Sequence, residues 1–140
     1  MDDDTRDERP EGEGRRDGRL RIFFIEDDLV ISRVFVKVLE MHHYEVRHAG
    51  TYSEAIAEAD GRFDLVLSDI ALPDGTGWDV MRHIRSCWGH IPGIALSGFG
   101  SEEAASESIA AGFAVHLTKP ILFHELTAAI ERVARLRGVA

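Results

Sequence analysis

The feature that most limits what this chain can fold into is an alternation running from Leu20 to about Arg137. Short apolar runs rich in β-forming residues take turns with stretches whose apolar residues return every three to four positions. Leu20 to Ile25 reads as a buried strand. Ile31, Val34, Phe35, Val38 and Leu39 then predict the inward face of a first helix. Glu45 to His48 reads as a second strand, and Tyr52 to Ala59 as a short helix with Ala55, Ile56 and Ala59 inward and Gly61 as its stop. Phe63 to Ser68 is the third strand, Pro73-Asp74-Gly75 a turn, and a helix from about Thr76 carries Val80, Met81 and Ile84 inward. Ile91 to Leu96 is the fourth strand. Ser101 caps a helix with Ala104, Ala105 and Ile109 inward, and Gly112 ends it. Phe113 to Leu117 is the fifth strand, and Phe123, Leu126, Ile130 and Val133 stripe the last helix. Strands that alternate with helices in this way predict βαβ units and a doubly wound α/β fold, five parallel strands covered by five helices on both faces.

Composition closes off other classes. A chain of 140 residues fits one domain. Residues 1–19 hold eight acids and five arginines, with no Leu, Ile, Val, Phe, Trp or Tyr. They cannot bury enough apolar surface to offset their ordering entropy, so a disordered tail is expected over 1–19 and a single domain over 20–140. Cys87 is the one cysteine, which excludes an internal disulfide; it is expected to be an unreactive structural thiol. No apolar run approaches ~18 residues, and the acidic N-terminus has no signal-like apolar core, so no membrane span, no secretion and a cytoplasmic location are expected. A net charge of −9 speaks against direct nucleic-acid binding.

In a doubly wound sheet, ligands bind beyond the carboxyl ends of the strands. The segments there are Glu26-Asp27-Asp28, Ser68-Asp69, Ser97-Gly98 and Thr118-Lys119-Pro120. The fold brings these distant segments to one edge, where at least three carboxylates, a hydroxyl and an ammonium meet. Clustered carboxylates repel, and a cation offsets that cost. Hard oxygen ligands suit Mg2+, which often shares a phosphate. Lys119 can neutralise a carboxylate or meet a phosphoryl oxygen.

At these residues the sequence resembles a response-regulator receiver domain, from Leu20 to about Arg137. The acidic string Ile25-Glu26-Asp27-Asp28, the run Leu65 to Gly77 around Asp69, Ala95-Leu96-Ser97-Gly98 and Leu117-Thr118-Lys119-Pro120 stand in family order. The resemblance implies a flavodoxin-like sheet of order 2-1-3-4-5. It implies that Asp69 is the phosphoacceptor, that Glu26, Asp27, Asp69 and the backbone carbonyl of Ala71 hold Mg2+, and that Ser97 and Lys119 bind phosphoryl oxygens. The bond before Pro120 is usually cis in this family. The donor would be a phosphohistidine on a histidine kinase or a histidine phosphotransfer protein. Movement of Ser97 and the Gly98, Phe99, Gly100 loop would remodel the face of the fourth helix, fifth strand and fifth helix for a downstream protein partner. His116 stands where the family often has an aromatic switch residue, so it is either a fixed imidazole or a pH-sensitive link. Ala71 and Phe99 would flank the phosphoryl group and can orient no attacking water, which predicts slow self-dephosphorylation. The chain reads as a stand-alone receiver or one resembling those of hybrid histidine kinases, a monomer or a phosphorylation-dependent dimer.

The competing reading is a pseudo-receiver, an interaction domain that takes no phosphate; the full set Glu26, Asp27, Asp69, Ser97 and Lys119 weighs against it. Asp74-Gly75-Thr76 resembles part of a haloacid-dehalogenase phosphatase motif, but Leu72 stands where that motif needs Asp. Trp78 is expected to pack into the core and Trp88 to lie half exposed. The His42-His43 pair is expected to close the first helix, where cations suit the dipole.

Overall fold

The computed structural model describes residues 18–98 and 100–137. The expected tail over 1–19 therefore lies outside the described residues except for Gly18 and Arg19, and Phe99 lies outside them too. The main strands are β1 (Arg21–Ile25), β2 (Glu45–Ala49), β3 (Leu65–Asp69), β4 (Gly93–Ser97) and β5 (Val115–Thr118). The helices are α1 (Leu29–Met41), α2 (Tyr52–Glu58), α3 (Gly77–Trp88), α4 (Glu102–Ala111) and α5 (Phe123–Arg137). The strands form one parallel sheet of order β2-β1-β3-β4-β5, the flavodoxin-like arrangement.

Alternation along each strand divides the core. In β1, Ile22 and Phe24 face α1 and α5, where Leu39, Leu126, Ile130 and Val133 pack. Phe23 and Ile25 face the opposite layer, with Ala55 of α2, Met81 and Ile84 of α3 and Ala111 of α4. Both faces being covered explains why these strands read as unbroken apolar runs. The Phe23 and Phe63 rings stack at 4.6 Å.

Several element details depart from the sequence reading. In α1 the inward stripe is Ser32, Phe35, Val36 and Leu39, while Ile31 and Val34 face solvent. Nine of the thirteen residues of this helix are apolar, so two adjacent stripes compete. The inner one can accept Ser32 because its hydroxyl donates to the Leu29 carbonyl at 3.2 Å. In α4 the buried stripe is Ala104, Ser108 and Ala111; Ala105 is half-buried and Ile109 is 54% exposed. α2 ends at Glu58 because Ala59 turns to extended backbone, so Gly61 is not its stop. Gly112 does end α4, in the left-handed region at φ 119°. The third, fourth and fifth strands begin two residues later than read, with Phe63, Ile91 and Phe113 buried just ahead of them. The turn after β3 is a small antiparallel hairpin, Ala71–Leu72 against Gly75–Thr76. Asp74 at its tip accepts hydrogen bonds from the Tyr52 and Ser53 amides and the Ser53 hydroxyl, which ties the hairpin to the start of α2.

Candidate functional site

The carboxyl ends of β1, β3, β4 and β5 converge on one edge of the sheet. Beyond β1, Glu26 is 1% exposed and its amide donates to the Ala49 carbonyl at 3.0 Å. Its carboxylate accepts the Asp28 amide at 3.1 Å. Asp28 caps α1, its carboxylate accepting the Val30 and Ile31 amides. Asp27 lies between these two anchored residues with its side chain exposed. Asp69 is the last residue of β3, buried at 6% exposure. Oxygens of Glu26, Asp27 and Asp69 all lie within 4.8 Å of one another.

Lys119, just past β5, reaches into this cluster. Its Nζ donates to Asp69 Oδ2 at 3.0 Å and to Glu26 Oε1 at 3.3 Å. The lysine is placed by its own amide, which donates to the Ser97 carbonyl at 2.7 Å, and the peptide bond to Pro120 is cis. Ser97 is buried at the end of β4 and in register with Thr118. Gly98 follows it, exposed, and Ala71 is exposed in the hairpin two residues past Asp69.

The close approach of α3 fixes Asp69 from behind. Gly77 opens that helix directly against Ser68 and Asp69, and a Cβ there would collide with the Asp69 carbonyl oxygen. Thr76 caps the helix by accepting the Asp79 amide.

Electrostatically the site is short of positive charge. Burial pushes the Glu26 carboxyl above its ordinary range; the Asp28 amide opposes this, the Asp69 charge adds to it, and Lys119 lowers it. Burial alone would lower the Lys119 ammonium, but its bonds and attraction to Asp69 and Glu26 win and hold it above its ordinary value. Among the described residues, one ammonium faces three carboxylates, which leaves room for a cation. The donor set is oxygen only and open to solvent on the Asp27 side, which fits a hard divalent ion that keeps several waters.

A second constellation lies on the α4–β5 side. Trp78 Nε1 donates to Ser108 Oγ at 2.9 Å, and Ser108 Oγ is 2.8 Å from Nδ1 of half-buried His116. A shallow cleft beside it is lined by Trp78, Gly98, Gly100 and Ser101. This chain of bonds is the reason Ser108, rather than Ile109, takes the inward position in α4. Sequence pattern alone does not reveal it. A serine four residues after the inward Ala104 is the one signal that could have shown it. Trp78 itself is half-buried against the core rather than inside it, and Trp88 is half-buried with its ring edge on His83. Cys87 is exposed, with Sγ 3.7 Å from His83 Nε2. His42 does close α1, its Nδ1 donating to the Val38 carbonyl at 3.0 Å.

Among the described residues no helix is long and apolar enough to cross a membrane. A family profile described as Response regulator receiver domain matches residues 22–131. The non-phosphorylated HemR receiver domain from Leptospira biflexa superposes with a TM-score of 0.78 at 31% identity, covering 82% of this chain and 94% of that one. A CheY-like receiver domain protein from Methanospirillum hungatei superposes with a TM-score of 0.76 at 28% identity, covering 87% and 99%. In sequence, the KDP operon transcriptional regulatory protein KdpE of Escherichia coli is 34% identical over 85% of this chain and 52% of its own length. The probable transcriptional regulatory protein SilR of Salmonella typhimurium is 32% identical over 83% of this chain and 51% of its own. The chain thus spans about half the length of these regulators. With a five-stranded sheet of this order, an acidic cluster at its carboxyl edge and these matches, the chain belongs to the response-regulator receiver domain family.

Proposed function

We propose that the chain is a signalling module that takes a phosphoryl group from a phosphohistidine onto Asp69. The observation that carries this reading is the position of Lys119, whose ammonium joins Asp69 to Glu26 inside a cluster of three carboxylates. One Asp69 carboxylate oxygen attacks phosphorus. The O–P bond forms as the donor's P–N bond breaks, and the electron pair returns to the imidazole. The transition state spreads charge over equatorial oxygens, so positioning and nearby cations supply most of the catalysis. Lys119 meets one phosphoryl oxygen and the Ser97 hydroxyl donates to another. Mg2+, held by Glu26, Asp27, Asp69 and the Ala71 carbonyl, supplies further positive charge when bound.

The donor is a histidine kinase or a histidine phosphotransfer protein. Its approach is served by exposed apolar residues beside the site: Leu29, Val30 and Val34 on α1, and Leu122 after β5. Attraction of Ser97 toward the phosphoryl group draws on the loop that starts at Gly98. That loop shares a cleft with Trp78, whose bond to Ser108 reaches His116 on β5. The α4–β5–α5 face is therefore the output surface, read by a downstream protein. Ala71 offers no side-chain group to orient water, so the acyl phosphate is long-lived.

Incubation with Mg2+ and a small phosphodonor, followed by intact mass measurement, tests the reading. The expected result is a single phosphate adduct that Asp69→Asn abolishes. No adduct, together with no Mg2+-dependent beryllofluoride binding, means a pseudo-receiver that acts by interaction alone.

A further inference from the structure

The turn that carries the acidic pair is anchored from an unexpected direction. β1 and β2 run in register to Ile25 opposite Ala49, and the Glu26 amide still reaches the Ala49 carbonyl. The Glu26 carbonyl lies one residue past that last pair, where the partner chain is already leaving to start α2. Thr51 caps α2 by accepting the Glu54 amide, while Glu54 accepts the Gly50 amide at 2.7 Å. These two bonds tie the end of β2 to the first turn of α2. It leaves His48 pointing across to β1, with Nε2 2.7 Å from the Glu26 carbonyl oxygen. A carbonyl only accepts, so Nε2 carries the proton. The ring also tilts against Phe24, its register partner, at 5.8 Å.

The peptide between Glu26 and Asp27 is therefore gripped by an imidazole. On the far side Asp28 is fixed by the hydrogen bond its amide donates to the Glu26 carboxylate and by its capping of α1. Asp27 is exposed, and the direction of its carboxylate depends on the orientation of the peptides that flank it. We propose that His48 is a positioning residue for the metal-binding acidic turn, its Nε2–H holding the Glu26 carbonyl so that the Glu26 and Asp27 carboxylates converge with Asp69. The inference rests on the phosphoacceptor reading above, because it assumes that the cluster binds Mg2+. Groups that orient ligands from behind commonly change metal affinity by about ten- to a hundredfold when removed.

Calorimetric titration of the full chain with MgCl2 tests this, using wild type, His48→Phe and His48→Gln. His48→Phe keeps the aromatic surface on Phe24 and loses the donor, whereas glutamine places an amide N–H at nearly the same reach. His48→Phe is expected to bind Mg2+ roughly tenfold more weakly, and His48→Gln within about threefold of wild type. Phosphorylation of His48→Phe by a small phosphodonor is expected to be slow at low Mg2+ and to recover at saturating Mg2+, a split that general loosening of the fold does not produce. Equal affinity in His48→Phe and wild type overturns the inference. So does a folded His48→Gln that binds as weakly as His48→Phe; if the phenylalanine variant does not fold, a tenfold loss in folded His48→Gln overturns it alone. A wild type that binds no Mg2+ overturns the phosphoacceptor reading itself, and the positioning role falls with it.

Discussion

Gly77→Ala is expected to damage this molecule at two levels at once. The added Cβ would collide with the Asp69 carbonyl oxygen, lie 2.7 Å from Ser68 Oγ and lie 3.2 Å from the Asp69 carbonyl carbon. None of these atoms can retreat. Ser68 Oγ is itself bonded to the Asp69 carbonyl at 2.8 Å, and the Gly77 amide is bonded to Ile70 at 2.9 Å. The N-terminus of α3 must therefore lift off the end of β3. Overpacking of a rigid site costs about 3 kcal/mol, which for a domain of this size lowers the melting temperature by about 12 °C. Because the obstructed group belongs to Asp69, Mg2+ affinity is expected to fall by roughly tenfold as well. Gly93→Ala is the comparison. Its Cβ would press on Met81 Cε and on Phe113 Cδ1, which are side-chain atoms away from the site. Met81 Cε can move aside, but the Phe113 ring at 2.8 Å is buried and rigid, so the cost is about 2 kcal/mol, partly offset by the lower entropy of the unfolded chain. Thermal melts in EDTA and calorimetric Mg2+ titrations separate the two variants. Equal melting temperatures, or an unchanged Mg2+ affinity in Gly77→Ala, would show that contact with α3 does not hold Asp69 in place.

Other substitutions probe the remaining links. Lys119→Met leaves buried Glu26 and Asp69 without their ammonium; with the lysine side chain 29% exposed, the loss is about 1–2 kcal/mol rather than the larger value of a fully buried pair. Phosphate incorporation is expected to fall more than about a hundredfold, measured by intact mass over time. The lysine is held above its ordinary value of 10.5, so its contribution is fully present below that pH and is lost as pH rises through the higher folded value. Alkaline melts should therefore destabilise wild type more than Lys119→Met. Ser108→Ala removes the hydroxyl that accepts from Trp78 and lies against His116 Nδ1, costing about 1–2 kcal/mol and shifting Trp78 emission in a Trp88→Phe background. A melt identical to the parent would show that this chain of bonds contributes nothing. Ala71→Asn is expected to shorten the lifetime of the acyl phosphate; rapid decay in wild type that the substitution slows would contradict the assignment.

The parts of the fold legible in the sequence were those set by period. Two-faced burial made β1, β3 and β4 continuous apolar runs, and the residues after them fell on one edge because parallel strands must end together. Legibility failed where periodicity allowed two answers, as in α1, whose apolar residues occupy adjacent stripes. It failed again where a polar residue is inward because of a distant partner. Ser108 depends on Trp78 thirty residues earlier in the chain, and His48 on the carbonyl of Glu26 twenty-two residues earlier. No local pattern reports such pairs. Glu26, Asp27, Asp69 and Lys119 could be grouped from sequence because their chemistry and strand-end placement agree. The bond from His48 to the Glu26 carbonyl could not, since it comes from β2, a strand that carries no carboxylate of the cluster.

Borohydride trapping reports directly whether Asp69 carries the phosphoryl group. Reduction of an aspartyl phosphate converts that residue to homoserine, which peptide mass mapping locates. After incubation with Mg2+ and a small phosphodonor, homoserine is predicted at position 69, and unmodified aspartate when Mg2+ is chelated. Homoserine at another acidic residue, or an unreduced Asp69 in a protein that has bound Mg2+, would contradict the account.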